Sequence, residues 1–193
     1  IDGLPRELGT YDRLFRNEGS GEGGMPKLVD VTRQSGINIA REHGLAAVWW
    51  DYNEDGWPDL YVSNDFHTPD HLYRNNGDST FTEVTEEALA YTSWNSMGSD
   101  FSDINNDGLF DYLSTDMSAT THFKQKTMMG AMIDTAWFLD NLEPRQYMRN
   151  VMHVNTGTGK FVDVAFHAGI DSTDWTWAAI FGDLDNDGFE DVF

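Results

Sequence analysis

The sequence predicts an all-β fold of four-stranded antiparallel blades of the β-propeller type, interrupted by one mainly helical insertion. Three observations predict it. An acidic nonapeptide occurs three times, a pair of strand-like phrases occurs three times, and the two alternate in a fixed order along the 193 residues. Repetition at periods of about 20–50 residues marks an array of small, mutually covering units.

The first element is a hairpin. Leu14-Phe15-Arg16-Asn17-Glu18-Gly19 is followed by Leu28-Val29-Asp30-Val31-Thr32, β-branched and aromatic residues around a Gly-rich turn. The same pair recurs as Leu72-Tyr73-Arg74-Asn75-Asn76-Gly77 with Phe81-Thr82-Glu83-Val84-Thr85. It recurs again as Met152-His153-Val154-Asn155-Thr156-Gly157 with Phe161-Val162-Asp163-Val164-Ala165. Before the second copy come two further strand-like runs, Ala46 to Trp50 and Leu60 to Ser63, joined by the acidic nonapeptide. One unit therefore reads strand, acidic loop, strand, turn, strand, turn, strand, the content of a propeller blade.

The three nonapeptides are residues 51–59, 103–111 and 183–191, and all read Asp-x-[Asp/Asn]-x-Asp-Gly-x-x-Asp. Oxygens at positions 1, 3 and 5 converge on one point when glycine at position 6 lets the chain turn sharply, as in the first half of an EF-hand loop. Two carboxylates about 4 Å apart repel by roughly 4 kcal/mol at a surface-like dielectric, and a divalent cation reverses the sign. The expected ion is calcium, at three sites. A ninth-position Asp closes each loop in place of the EF-hand's twelfth-position Glu, so a different fold is implied.

The loops are spaced by 52 and then 80 residues, and the excess of 28 is an insertion within Ser118 to Asn150. There Phe123, Met128, Met129, Met132, Ile133, Ala136, Trp137 and Leu139 predict an amphipathic helix from near Thr121 to before Pro144, packed on the propeller. The units are a half blade at 12–37, a blade at 44–86, a blade at 96–167 carrying the insertion 118–150, and a half blade at 177–193. Two half units beside two whole ones read as a partial propeller or a fragment: either residues are missing at an end, or strands of a neighbouring copy complete the terminal blade.

These residues carry a resemblance. Leu-Tyr-Arg-Asn-Asn-Gly, Phe-Thr-Glu-Val-Thr and the nonapeptide resemble the FG-GAP and VCBS repeats, specifically those of bacterial proteins akin to cartilage acidic protein, and the loops resemble those of the integrin α-subunit propeller. The resemblance implies an extracellular, calcium-stabilised β-propeller used for adhesion or scaffolding. It implies side-chain ligands Asp51, Asn53, Asp55 and Asp59, then Asp103, Asn105, Asp107 and Asp111, then Asp183, Asp185, Asp187 and Asp191. The backbone carbonyls of Trp57, Leu109 and Phe189 complete each implied shell. Asn at position 3 gives the first two loops one charge less than the third, so they should bind more weakly. The phrase Phe-Gly-x-Gly-x-Ala-Pro is absent, with Met97-Gly98-Ser99-Asp100 and Ile180-Phe181-Gly182-Asp183 near its place, which favours the bacterial branch over integrin-like ligand binding.

Composition narrows the function. Thirty-three acidic against 12 basic residues give a net charge of −21, which three calcium ions would lower only to −15, and this disfavours nucleic acid and anionic membrane surfaces. No run of about 18 apolar residues predicts a membrane span, and Ile1-Asp2-Gly3-Leu4-Pro5 does not resemble a signal peptide. There is no cysteine, hence no thiolate metal site. Weak, exposed calcium loops fill where calcium is near millimolar, which points to the cell exterior.

The six histidines, His43, His67, His71, His122, His153 and His167, lack metal-ligand spacing, and Pro69 breaks the one i, i+4 pair, His67 and His71. No Gly-x-Ser-x-Gly elbow is present. Trp49, Trp50, Trp94, Trp175 and Trp177 lie just upstream of the loops, placed for packing between blades or for stacking on sugar rings. The expected function is a non-catalytic extracellular module binding a protein or glycan. The alternatives are a subunit of a self-assembling surface filament joined by strand complementation, and a propeller-based polysaccharide lyase or hydrolase.

Overall fold

The computed structural model describes residues 10–38, 40–65, 68–128 and 144–193. In chain order they form β1 (Phe15–Ser20), β2 (Pro26–Asp30), β3 (Gly44–Trp50), β4 (Asp59–Asn64), β5 (His71–Asn75) and β6 (Phe81–Glu83). There follow β7 (Tyr91–Ser93), β8 (Gly98–Ser102), β9 (Asp111–Thr115), β10 (Met117–Ser118), β11 (Arg145–Tyr147), β12 (Val151–Asn155) and β13 (Phe161–Asp163). Short pairs β14 (Asp174–Trp175), β15 (Phe181–Gly182) and β16 (Asp191–Val192) complete the strands.

Two sheets have four strands each, in the orders β3-β4-β5-β6 and β8-β9-β12-β13, and every pairing within them is antiparallel. The fold class read from the sequence is therefore observed. Two-stranded sheets β1-β2 and β15-β16 carry the outer and inner hairpins of the same pattern. The second strand of each large sheet, β4 and β9, is buried at every position. Such strands are covered on both faces, so their sequences, Asp-Leu-Tyr-Val-Ser-Asn and Asp-Tyr-Leu-Ser-Thr, do not alternate.

The main core lies between the two large sheets. Trp50, Tyr52, Tyr61, Leu72, Val84, Leu89, Tyr112, Val151 and Phe161 are buried in one cluster. Trp50 stacks on Phe101 at 5.6 Å and on Tyr112 at 6.1 Å. Aromatic pairs of this kind contribute about 0.5–1.5 kcal/mol beyond their buried area. The upstream tryptophans thus divide: Trp50 and Trp94 are core, whereas Trp49 and Trp177 are exposed.

The second phrase of each hairpin leaves the sheet two residues earlier than expected. After Asp30, Glu83 and Asp163 the chain turns into one-turn helices, α1 (Thr32–Ser35), α2 (Thr85–Ala88) and α4 (Ala165–Ala168). The cause is local: Asp30 Oδ1 accepts the Thr32 N–H at 3.1 Å, and Asp163 Oδ1 that of Ala165 at 2.8 Å, side-chain turns that draw the backbone out of the sheet. Thr32 and Thr85 then use Oγ1 to accept the N–H of Leu14 and Leu72, each at 2.9 Å, locking the helix to the neighbouring strand.

The insertion begins with α3 (His122–Met128), as the sequence predicts. Met129, Met132, Ile133, Ala136, Trp137 and Leu139 lie outside the described residues, so the rest of the expected helix does too. Phe123 is 74% exposed, unlike the packing expected of it; the helix start is instead held by Lys124 Nζ on Asp174 at 2.5 Å. The exit strand β11 pairs parallel with β7, which the antiparallel expectation did not include. A long connection between the two permits parallel pairing.

Candidate metal centres

Each nonapeptide joins the first two strands of a sheet, and the ladder closes it. Trp50 faces Asp59, Ser102 faces Asp111 and Gly182 faces Asp191, so in every copy the residue before the loop pairs with the ninth residue. Inside that closure the three loops share one hydrogen-bond scheme. The first-position carboxylate accepts the N–H of position 5 through Oδ1, at 3.0 Å on Asp51, Asp103 and Asp183. Its Oδ2 accepts the N–H of Gly56, Gly108 and Gly188 at 2.7, 2.8 and 2.9 Å. The fifth-position carboxylates, Asp55, Asp107 and Asp187, each accept the N–H of Trp57, Leu109 and Phe189 at 2.9 Å.

The backbone explains the glycine and adds a requirement that the pattern hides. Gly56, Gly108 and Gly188 have φ near +90°, where a Cβ is strained. Position 4 is also left-handed, at φ 58 for Glu54, 57 for Asn106 and 62 for Asn186. Asn tolerates this region, so two copies obey a local rule that the varying fourth letter conceals.

Position 3 separates the loops. Asn53 donates Nδ2 to Asp55 Oδ2 at 2.9 Å, and Asn105 does the same to Asp107 at 3.0 Å. Asp185 has no such donor to offer, and Asp183, Asp185 and Asp187 bring carboxylate oxygens within 4.8 Å of one another, all exposed. The first two loops neutralise part of their own charge with an amide; the third concentrates three carboxylates.

The ninth-position carboxylates face inward. Asp59 and Asp111 are fully buried, accept the N–H of Tyr52 at 3.1 Å and of Ile104 at 3.3 Å, and also take the N–H of Asn75 at 2.7 Å and of Asn155 at 2.8 Å. Burial pushes both up to about 6, against the pull of those amides. Asp191 keeps the first contact, from Leu184 N at 3.0 Å, but is exposed. Position 9 is thus a hub between the loop and the third strand of its sheet. The asparagines complete it: Asn75 Nδ2 donates to Pro58 O at 2.9 Å while its Oδ1 accepts from Gly77 N at 2.9 Å. Sequence reasoning placed this asparagine in the hairpin phrase without seeing its partner across the sheet. Gly77 sits at φ 75, in the left-handed region that favours glycine, and a Cβ there would also push on the exposed Trp57 ring from 2.9 Å.

Side-chain oxygens only, from carboxylates and amides, fit a hard cation such as calcium rather than a soft one. The side chains at positions 1, 3 and 5 would hold it.

The family described as FG-GAP-like repeat matches residues 51–114 and 137–193, more than half of the chain. The chain belongs to the FG-GAP-like repeat family. No curated protein matches it. The matched FG-GAP-like segments contain all three acidic loops, so the loops belong to the repeat and not to an added site.

On the opposite ends of the FG-GAP-like strands lies a buried polar seam that the sequence did not expose. Asp70 accepts hydrogen bonds from the Tyr61 hydroxyl and from Asn64 N at 2.8 Å, and Tyr61 meets the Tyr112 hydroxyl at 2.6 Å. Burial pushes Asp70 up to about 7. His71, set aside as a ligand, sits between Glu42 at 2.9 Å and Glu83 at 2.7 Å. Burial opposes its charge, but the two carboxylates outweigh this and push it up to about 10. Arg149 lies over the Tyr91 and Phe166 rings and meets Asp163 at 2.6 Å, tying the insertion's exit to its blade. These are roles in holding the fold.

Proposed function

We propose that this chain is a calcium-stabilised propeller module of the branch akin to cartilage acidic protein, working outside the cell and binding a protein or glycan without catalysis. The observation that carries the reading is the third loop, where Asp183, Asp185 and Asp187 converge on a backbone scheme that two other loops repeat. Three like charges so placed favour a divalent ion. The carboxylates at positions 1, 5 and 9 are engaged by backbone amides, which supports a structural ion over one open to substrate.

An external location follows from the ion, because loops of this openness fill at the calcium levels found there. The binding role is supported by a cavity of about 440 Å³ between β1 and the first large sheet, lined by Trp49, Phe15, Phe81, Arg16, Gln34 and Asp78. Aromatic faces beside charged and amide groups suit a sugar ring.

Thermal unfolding in calcium and in chelator tests the reading. The midpoint should fall when calcium is removed, and an unchanged midpoint overturns the structural ion. Turnover of any member of a polysaccharide panel would overturn the non-catalytic role and favour the lyase or hydrolase.

A further inference from the structure

The second and third acidic loops touch, and the contact joins their turns. Asn106, at position 4 of the second loop, donates Nδ2 to the carbonyl of Gly188, at position 6 of the third, at 2.9 Å. Other links run along the same seam. Asp100 Oδ2 accepts the N–H of Phe181 at 2.8 Å, and Ile104 and Phe181 pack against the buried cluster of Leu113, Met152, Ala165 and Ala179. Gly98 lies so close to Trp177 that a Cβ there would meet its carbonyl oxygen at 2.7 Å. The two loops therefore hold a fixed relation.

What Asn106 holds is the peptide on which the third loop turns. The Gly188 N–H goes to Asp183 and the Phe189 N–H to Asp187, both at 2.9 Å, and Asn106 takes the one carbonyl between those two amides. Asn106 itself stands between Asn105 and Asp107, whose side chains would hold the ion of the second loop. It holds φ at 57° in the bend that the Asp107 N–H closes onto Asn105 Oδ1 at 3.0 Å. An ion that fixes those two neighbours fixes the direction of the Asn106 amide, and through it the bend that gathers Asp183, Asp185 and Asp187.

The first loop cannot make this link. Position 4 there is Glu54, and a carboxylate has no N–H to donate to a carbonyl. The first and second loops meet on their buried side, where Asn155 donates Nδ2 to Tyr52 O and its backbone N–H to Asp111, both at 2.8 Å and clear of positions 3 to 6.

Resting on the calcium reading above, we propose that Asn106 is a positioning residue that couples the second and third loops, so that an ion in either raises the affinity of the other. Order shared between two sites appears as positive cooperativity, and linkage makes it reciprocal. Repulsion between two bound cations has the opposite sign and is screened by salt. The sign of the coupling therefore separates a hydrogen-bonded link from charge alone.

Each loop carries its own reporter, the amide of Gly56, Gly108 or Gly188, which donates to the first-position carboxylate. Nuclear magnetic resonance of these amides during a calcium titration gives three separate midpoints. Asn106→Gly keeps a residue at ease with this φ and removes the donor, and the dispersion of the same spectra shows that it folds. The calcium midpoint of the Gly188 signal should rise about three- to fivefold, while that of Gly56 stays where it is. Asn105→Ala, which removes a ligand from the second loop only, should raise the Gly188 midpoint by a similar factor, and adding Asn106→Gly to it should raise it no further. A Gly188 midpoint unmoved by Asn106→Gly, an equal shift at Gly56, or losses from the two substitutions that simply multiply would overturn the coupling and leave the calcium reading standing. No response of any of the three amides to calcium in the unsubstituted chain overturns both.

Discussion

Asn75 donates its backbone N–H to Asp59 Oδ1 at 2.7 Å, so the last residue of an acidic loop and the third strand of its blade form one hydrogen-bonded unit. Asp59→Ala would leave that donor and the Tyr52 N–H buried without an acceptor, at about 1–3 kcal/mol each. Urea unfolding should show a loss of about 3 kcal/mol in chelator as well as in calcium. Asp51→Ala, on the exposed side of the loop, should matter chiefly in calcium.

Asp185→Asn converts the third loop to the chemistry of the first two. The new amide can donate to Asp187 as Asn53 does to Asp55. Calorimetric titration should show calcium binding to this loop weakened by about tenfold, because affinity follows the number of charged ligands. The same variant should be more heat-stable than the parent in chelator, where repulsion is no longer countered by an ion.

Glu54 holds φ at 58°, a region that Asn106 and Asn186 occupy in the other loops. The left-handed conformation costs most residues about 1–2 kcal/mol and Asn less. Glu54→Asn should therefore stabilise the chain by about 0.5–1 kcal/mol, read as a higher urea midpoint at unchanged slope.

Two histidines of opposite sign make stability depend on pH. Burial holds His153 down to about 4, against the pull of Asp163. Its contribution is fully present above its ordinary value near 6.5 and is lost as pH falls towards 4. His71 is raised to about 10, so its contribution is complete below about 6.5 and is lost as pH rises through 10. Asp70, raised to about 7, and Asp59 and Asp111, raised to about 6, gain stability as pH falls and outweigh His153 on the acid side. Unfolding free energy measured against pH should lose its alkaline decline in His71→Gln and rise more steeply towards acid pH in His153→Phe.

Much of the blade was legible because it repeats. Three copies of Leu-x-x-Asn-x-Gly-like hairpins and three acidic loops set the order strand, loop, strand, and the sheets β3-β4-β5-β6 and β8-β9-β12-β13 follow it. The acidic positions were legible for the same reason, since positions 1 and 5 act within nine residues of one another. What escaped is what one copy cannot show. Position 4 varies in identity while sharing one φ, and Asn75 acts on a residue sixteen positions earlier.

The residue pattern by itself determined the repeating antiparallel unit, the bends where oxygens gather, and the difference in charge between the third bend and the other two, because these depend on neighbours along the chain. Only the tertiary structure decided that Asp59 and Asp111 turn into the sheet while Asp191 stays in solvent, that Trp50 is core while Trp49 is surface, and that His71 lies between two glutamates. Each of these is a matter of what another strand or blade lays against the residue, and burial sets both the charge a group can carry and the hydrogen bonds it must find.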